Sequence, residues 1–149
     1  MDRTSVDRGV DRAPAHTRVG PHRVRVRDAE AALRELLEGG SGDFGAAVRE
    51  LRGAWEGHTD FTEAPEGLFD EMLATSLEVA PEVDRLRRDH VGVAASLGRV
   101  EGLLNVGVKP GDPRVHDAVV AILKTVDQHR RRGESLLYDL YSVDPAGGG

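Results

Sequence analysis

Residues 81–105 read PEVDRLRRDHVGVAASLGRVEGLLN, and residues 112–141 read DPRVHDAVVAILKTVDQHRRRGESLLYDLY. In the first, Val83, Leu86, His90, Val93, Leu97, Val100 and Leu104 recur at spacings of three and four. In the second, Val119, Ile122, Val126, His129, Gly133, Leu136 and Leu140 do the same. That spacing puts each set on one face of an α-helix, the pattern of a bundle seam. Pro81 sits where the first turn tolerates proline, and Asp112-Pro113 is a cap followed by a first-turn proline. The helices are expected to span about Pro81 to Asn105 and about Asp112 to Val143. Each seam is interrupted by a single histidine near its middle.

Two further helices complete the pattern. Asp28 to Glu38 is expected to be helical, with Ala29, Leu33 and Leu36 inward and Gly39-Gly40 as its stop. A longer helix runs from the cap Asp43 to about Thr75 and must kink or break near Pro65-Glu66-Gly67. Its stripe holds Leu51, Trp55, His58, Thr62, Phe69 and Met72. With no convincing strand, the expected fold is all-α, an up-down-up-down antiparallel four-helix bundle over residues 26–143. Residues 1–25 read as a flexible basic arm, and residues 144–149 as a tail.

In antiparallel neighbours, equal distance from the shared loop means equal height. His90 lies 15 residues before Asn105 and His129 lies 16 after Pro113, so they differ by roughly 2 Å at the helical rise. Counting His58 back from Thr75 gives an offset on the order of 12 Å from His90, which makes it the weaker member; Asp60 and Glu63 sit nearer that height. Glu134 follows His129 by five residues, on the opposite flank of the seam. Imidazole with carboxylate suits iron, manganese or zinc. The competing reading makes His90 and His129 hydrogen-bonded core histidines.

Composition excludes much else. Among 149 residues there is no Cys, so thiolate metal sites, disulfides and Cys nucleophiles are out. Aromatic residues make up 4%, too few for a base-stacking surface, so no nucleic-acid partner is expected. No apolar run approaches the roughly 20 residues of a membrane span. The expectation is a soluble, cytoplasmic protein without membrane contact. Residues 1–27 carry seven Arg and three Asp, leaving −10 of the net −6 on the other 122 residues. Arg130, Arg131 and Arg132 read as a solvated flank, His16, His22 and His116 as exposed, and Trp55 as core. Tyr138, four residues after Glu134, reads as a rim tyrosine or a partner of that carboxylate. Phe61 and Leu77 are the candidates for a bundle-to-bundle contact in a homodimer.

Leu86-Arg-Arg-Asp-His90, the His129-to-Glu134 spacing and Glu66-Gly-Leu-Phe-Asp-Glu-Met72 together resemble the hemerythrin-like (HHE cation-binding) family over residues 28–141. The resemblance implies a four-helix bundle holding non-haem iron, mono- or dinuclear, between its helices. It assigns His90 to the first position of the third-helix motif and His129 with Glu134 to the fourth. It departs elsewhere: Glu30 stands at the first-helix histidine position, Ala94 at the second ligand of the third motif, and Thr62 at the bridging position when His58 anchors the second. The implied metal ligands are therefore His90, His129 and Glu134, with Glu63, His58 and Glu30 behind them. The implied function is to bind or activate dioxygen, as an iron-binding protein or a biosynthetic oxidase or oxygenase acting on a small molecule. The alternative is a metal-free module using His90 and His129 in a small-molecule pocket for acid–base chemistry or ligand binding.

Overall fold

The computed structural model describes residues 13–142. Among them are α1 (Gly20–Leu37), α2 (Phe44–Glu63), the short α3 (Leu68–Thr75), α4 (Ala80–Asn105) and α5 (Pro113–Tyr141), with 3-10 turns at Ala15–Thr17 and Leu77–Val79 and no strand. The four long helices form a closed ring of neighbours: α1 packs on α2, α2 on α4, α4 on α5, and α5 back on α1. No helix among the described residues is long and apolar enough to cross a membrane.

The helix starts follow the expected local chemistry. The Asp43 carboxylate accepts from the Ala46 amide at 3.0 Å and that of Asp112 from the Arg114 amide at 2.9 Å, each satisfying a donor that the first turn leaves free. The expected helix from Asp43 to Thr75 is two helices. Ala64 precedes Pro65, whose ring disfavours helical backbone in the residue before it, and Ala64 is extended (φ −62°, ψ 152°). Glu66 then adopts φ 60°. Gly67 closes the corner so tightly that a Cβ there would lie 2.6 Å from the Phe61 carbonyl oxygen and 2.8 Å from that of Ala64.

The basic arm and the helix start at Asp28 require correction. Residues 1–12 and the tail 144–149 lie outside the described residues, but residues 13–25 belong to the fold. Helix α1 begins at Gly20, eight residues earlier than expected. Its inner stripe is Val19, Arg23, Val26, Glu30 and Leu33, at spacings of four and three, all buried. Two of the five are charged, which hid the periodicity. Upstream, the Glu71 carboxylate of α3 ties the chain down, accepting from the Ala15 amide at 2.6 Å and the His16 amide at 3.2 Å. It also bonds His16 Nδ1 at 2.8 Å, and the His16 ring stacks on Tyr141 at 3.8 Å between centroids. His16 is thus tied into the fold, and His22 stacks on Phe61 at 4.5 Å; neither is the free side chain expected.

The apolar interior is divided. One cluster holds Val26, Leu33, Val48, Leu51, Trp55, Val93, Leu97, Val119 and Val126 among others. A second holds Ala15, Val19, Leu68, Phe69, Met72, Val83, Leu86, Leu136 and Leu137. Between them every long helix places a buried polar residue: Arg23 on α1, His58 on α2 with Thr62 one turn further on, His90 on α4 and His129 on α5.

Glycine substitutions test the backbone. Gly67→Ala forces a Cβ against backbone and is expected to cost about 2 kcal/mol. Gly98→Ala, mid-helix with nothing within 4 Å of the new Cβ, is expected to stabilise by roughly 0.5–1 kcal/mol. Urea unfolding of both variants checks the pair; equal effects would contradict this corner geometry.

Candidate metal centre

Three helices each deliver one imidazole to the gap between the apolar clusters. His58, His90 and His129 are 8%, 2% and 5% exposed, and one ring nitrogen from each lies within 4.8 Å of the others. Among the described residues this is the group of three or more donor side chains placed to hold an ion. The expected match of His90 with His129 is seen as a ring separation of 4.8 Å. The expected 12 Å offset of His58 is wrong, since its ring lies 5.3 Å from each of the other two. That offset assumes a helix continuous to Thr75, whereas α2 ends at Glu63, only five residues after His58.

The remaining ring nitrogens find carboxylates or nothing. His90 Nδ1 bonds Glu63 Oε2 at 2.5 Å, and His129 Nδ1 bonds Asp89 Oδ2 at 3.0 Å. His58 Nε2 lies 3.2 Å from His129 Nε2. His58 Nδ1 and His90 Nε2 are buried with no partner, an unusual state for polar atoms in a core. Trp55 backs the group, its ring within 5.7 Å of all three imidazoles and its indole N–H donated to the His90 carbonyl at 3.2 Å. Phe69 from α3 stacks on the His90 ring from the other side. A cavity of about 30 Å³ adjoins the group, bounded by His58, His129, Thr62, Val19, Met72 and Gly133, with Arg23 and Arg130 among the other walls. It is large enough for one or two waters or a diatomic molecule.

The sequence-predicted carboxylates divide. Glu63 joins the centre, but as a partner to the outer nitrogen of His90. Glu134 does not: its Oε2 takes Arg23 at 2.6 Å, and the exposed Tyr138 does not bond to it among the described hydrogen bonds. Glu30, 1% exposed, is held by Arg34 at 3.0 Å and Arg130 at 3.2 Å. The resemblance implies both as ligands, Glu30 at the first-helix histidine position and Glu134 by its spacing after His129; each instead pairs with arginine. Arg130 is accordingly more than the solvated flank expected, and Arg132 reaches Asp89 at 3.3 Å. Asp89 was missed. It adjoins His90 in sequence, and the available signal was its position one residue before the seam of α4, facing α5.

The electrostatics favour neutral rings at His58 and His90. Burial pushes the His90 imidazole down to about 4, against the opposing pull of Glu63. Burial, then the neighbouring His129 and His90, push His58 well below its ordinary value. Burial alone would raise Asp89, but the hydrogen bond from His129 and the charge of Arg132 hold it below the usual carboxylate range. Neutral imidazoles are the form that ligates metals.

Acid sensitivity follows. Above pH 6.5 His90 is neutral in folded and unfolded chains alike. As pH falls from 6.5 to about 4, the unfolded chain takes a proton that the fold refuses. Stability is therefore lost over that window, by about 3 kcal/mol from His90 if the shift is fully expressed. Chelator-treated protein melted between pH 7 and pH 4.5 checks this, and His90→Gln is expected to flatten the slope.

No protein-family model matches the sequence, and no curated protein or solved structure matches it either.

Proposed function

We propose that this chain is a metal-binding four-helix protein in which His58, His90 and His129 hold a single ion of the iron type, and that it binds or activates dioxygen there. The observation that carries the reading is the meeting of three buried imidazoles, two of them with an unpartnered ring nitrogen, in the gap between two apolar clusters. Imidazole donors suit iron, zinc, copper and nickel. The two carboxylates behind the rings, Glu63 and Asp89, supply the negative charge that offsets a divalent cation taken into a core.

The up-down-up-down topology belongs to the same proposal. Its support is that α1 and α4 run from the second apolar cluster toward the first, whereas α2 and α5 run the other way. The hemerythrin-like relationship is likewise a proposal, supported by one histidine on each of the second, third and fourth long helices at the level of the centre. The ligand set differs from the one that resemblance implies. Thr62 stands at the bridging position, and among the described residues the donor group that converges is His58, His90 and His129 alone, which favours one ion over two.

His58, His90 and His129 would hold the ion, and iron there would supply redox chemistry toward dioxygen. The chain's own contributions are separate from that chemistry. Trp55, Phe69 and Met72 keep bulk water from the centre, the adjoining cavity has room for a diatomic guest, and Glu63 and Asp89 hold two of the rings.

A second reading is metal-free, and the 3.2 Å contact between His58 Nε2 and His129 Nε2 favours it. In it the triad is a hydrogen-bonded acid–base group beside a small-molecule cavity. Metal content decides between them. Protein expressed with added iron is expected to carry about one equivalent per chain, to lose it in His129→Ala and in His58→Ala, and to melt at higher temperature than its chelated form. Metal below about 0.2 per chain in the parent protein, as measured by elemental analysis, would favour the metal-free reading.

A further inference from the structure

Asp89 and Glu63 reach the centre only through histidines. Each carboxylate oxygen can accept but not donate, so the nitrogen facing it must carry the hydrogen. A neutral imidazole has one N–H. With that proton on Nδ1, the other nitrogen, Nε2, is a bare lone pair. His129 Nε2 then has nothing to donate to His58 Nε2 at 3.2 Å, so the proton in that contact belongs to His58. The unpartnered Nε2 of His90 fits the same assignment.

We infer that Asp89 and Glu63 are positioning residues, each accepting the Nδ1 proton of one histidine and so turning the Nε2 lone pairs of His129 and His90 toward the centre of the bundle. His58, without a carboxylate, is the ring with Nε2–H in the metal-free protein. Arg132 at 3.3 Å from Asp89 and Arg87 at 3.7 Å from Glu63 anchor the two carboxylates from outside. The consequence for metal affinity rests on the function proposed above; the ring assignment does not.

The test is long-range proton–nitrogen NMR on the full chain, labelled at histidine nitrogens and freed of metal by chelator. The expected spectrum shows Nδ1–H for His90 and His129 and Nε2–H for His58; Nε2–H at either His90 or His129 would overturn the inference, with no variant needed. In Asp89→Ala, His129 is expected to lose its single Nδ1–H form while His90 keeps it, and Glu63→Ala is expected to do the reverse. Zinc titration of the same proteins is expected to show affinity lowered roughly 10–100-fold in each variant. A ring form lost without loss of affinity would overturn the positioning role. A parent chain that binds neither zinc nor iron would defeat the metal reading and leave the NMR result standing.

Discussion

Four polar side chains, one from each long helix, occupy the same level of an apolar bundle. Three are imidazoles and one is a guanidinium, and all four are buried. Taking such groups from water costs free energy unless partners replace the water. Much of the surrounding structure can be understood as supplying those partners. Glu63 ends α2 where it meets His90, Asp89 is set beside α5 to meet His129, and Glu134 stands one turn beyond His129 to meet Arg23. Gly133, the residue before Glu134, lies beside Arg23: a Cβ there would meet its guanidinium at 3.5 Å, an ordinary contact.

The layer is asymmetric. The α1 side is satisfied by an ion pair, His129 has a partner on both ring nitrogens, and His90 is satisfied on its outer edge only. His58 has no carboxylate at all. What remains unpartnered, His58 Nδ1 and His90 Nε2, is buried within the layer. The roof over this gap comes from α3 and from the segment before α1. Both are short pieces that gain little from helix propensity and hold through Phe69, Met72, Val19 and the bonds to Glu71.

The seams of α4 and α5 were legible because their periodicity is nearly unbroken and each has a single polar interruption. The caps at Asp43 and Asp112 were legible because a capping side chain acts within its own turn. What escaped was charge placed on an inner stripe. Arg23 and Glu30 look like solvent residues to any pattern of apolar spacing, so residues 19–25 read as arm. Their partners across the bundle, Glu134 and Arg130, lie a hundred or more positions away in the sequence. His58 was misjudged for a related reason. The backbone at Pro65–Gly67 turns a continuous helical pattern into two segments, and height along a helix cannot be counted across such a corner.

The unpartnered nitrogens bear on why the histidines are there. A buried polar atom without a hydrogen bond costs about 1–3 kcal/mol, and the layer contains His58 Nδ1 and His90 Nε2 in that state. Apolar residues of similar size would fill the same gap without that cost, and would join the two clusters into one core. Fold stability alone therefore does not account for three imidazoles meeting between them. Local features that oppose stability are often those held for function. Here the cost falls on ring nitrogens, the outer edges of two of the rings are fixed by carboxylates, and a cavity opens beside them. An ion would use those nitrogens as ligands, so the same arrangement that weakens the metal-free fold is the one that metal binding would stabilise.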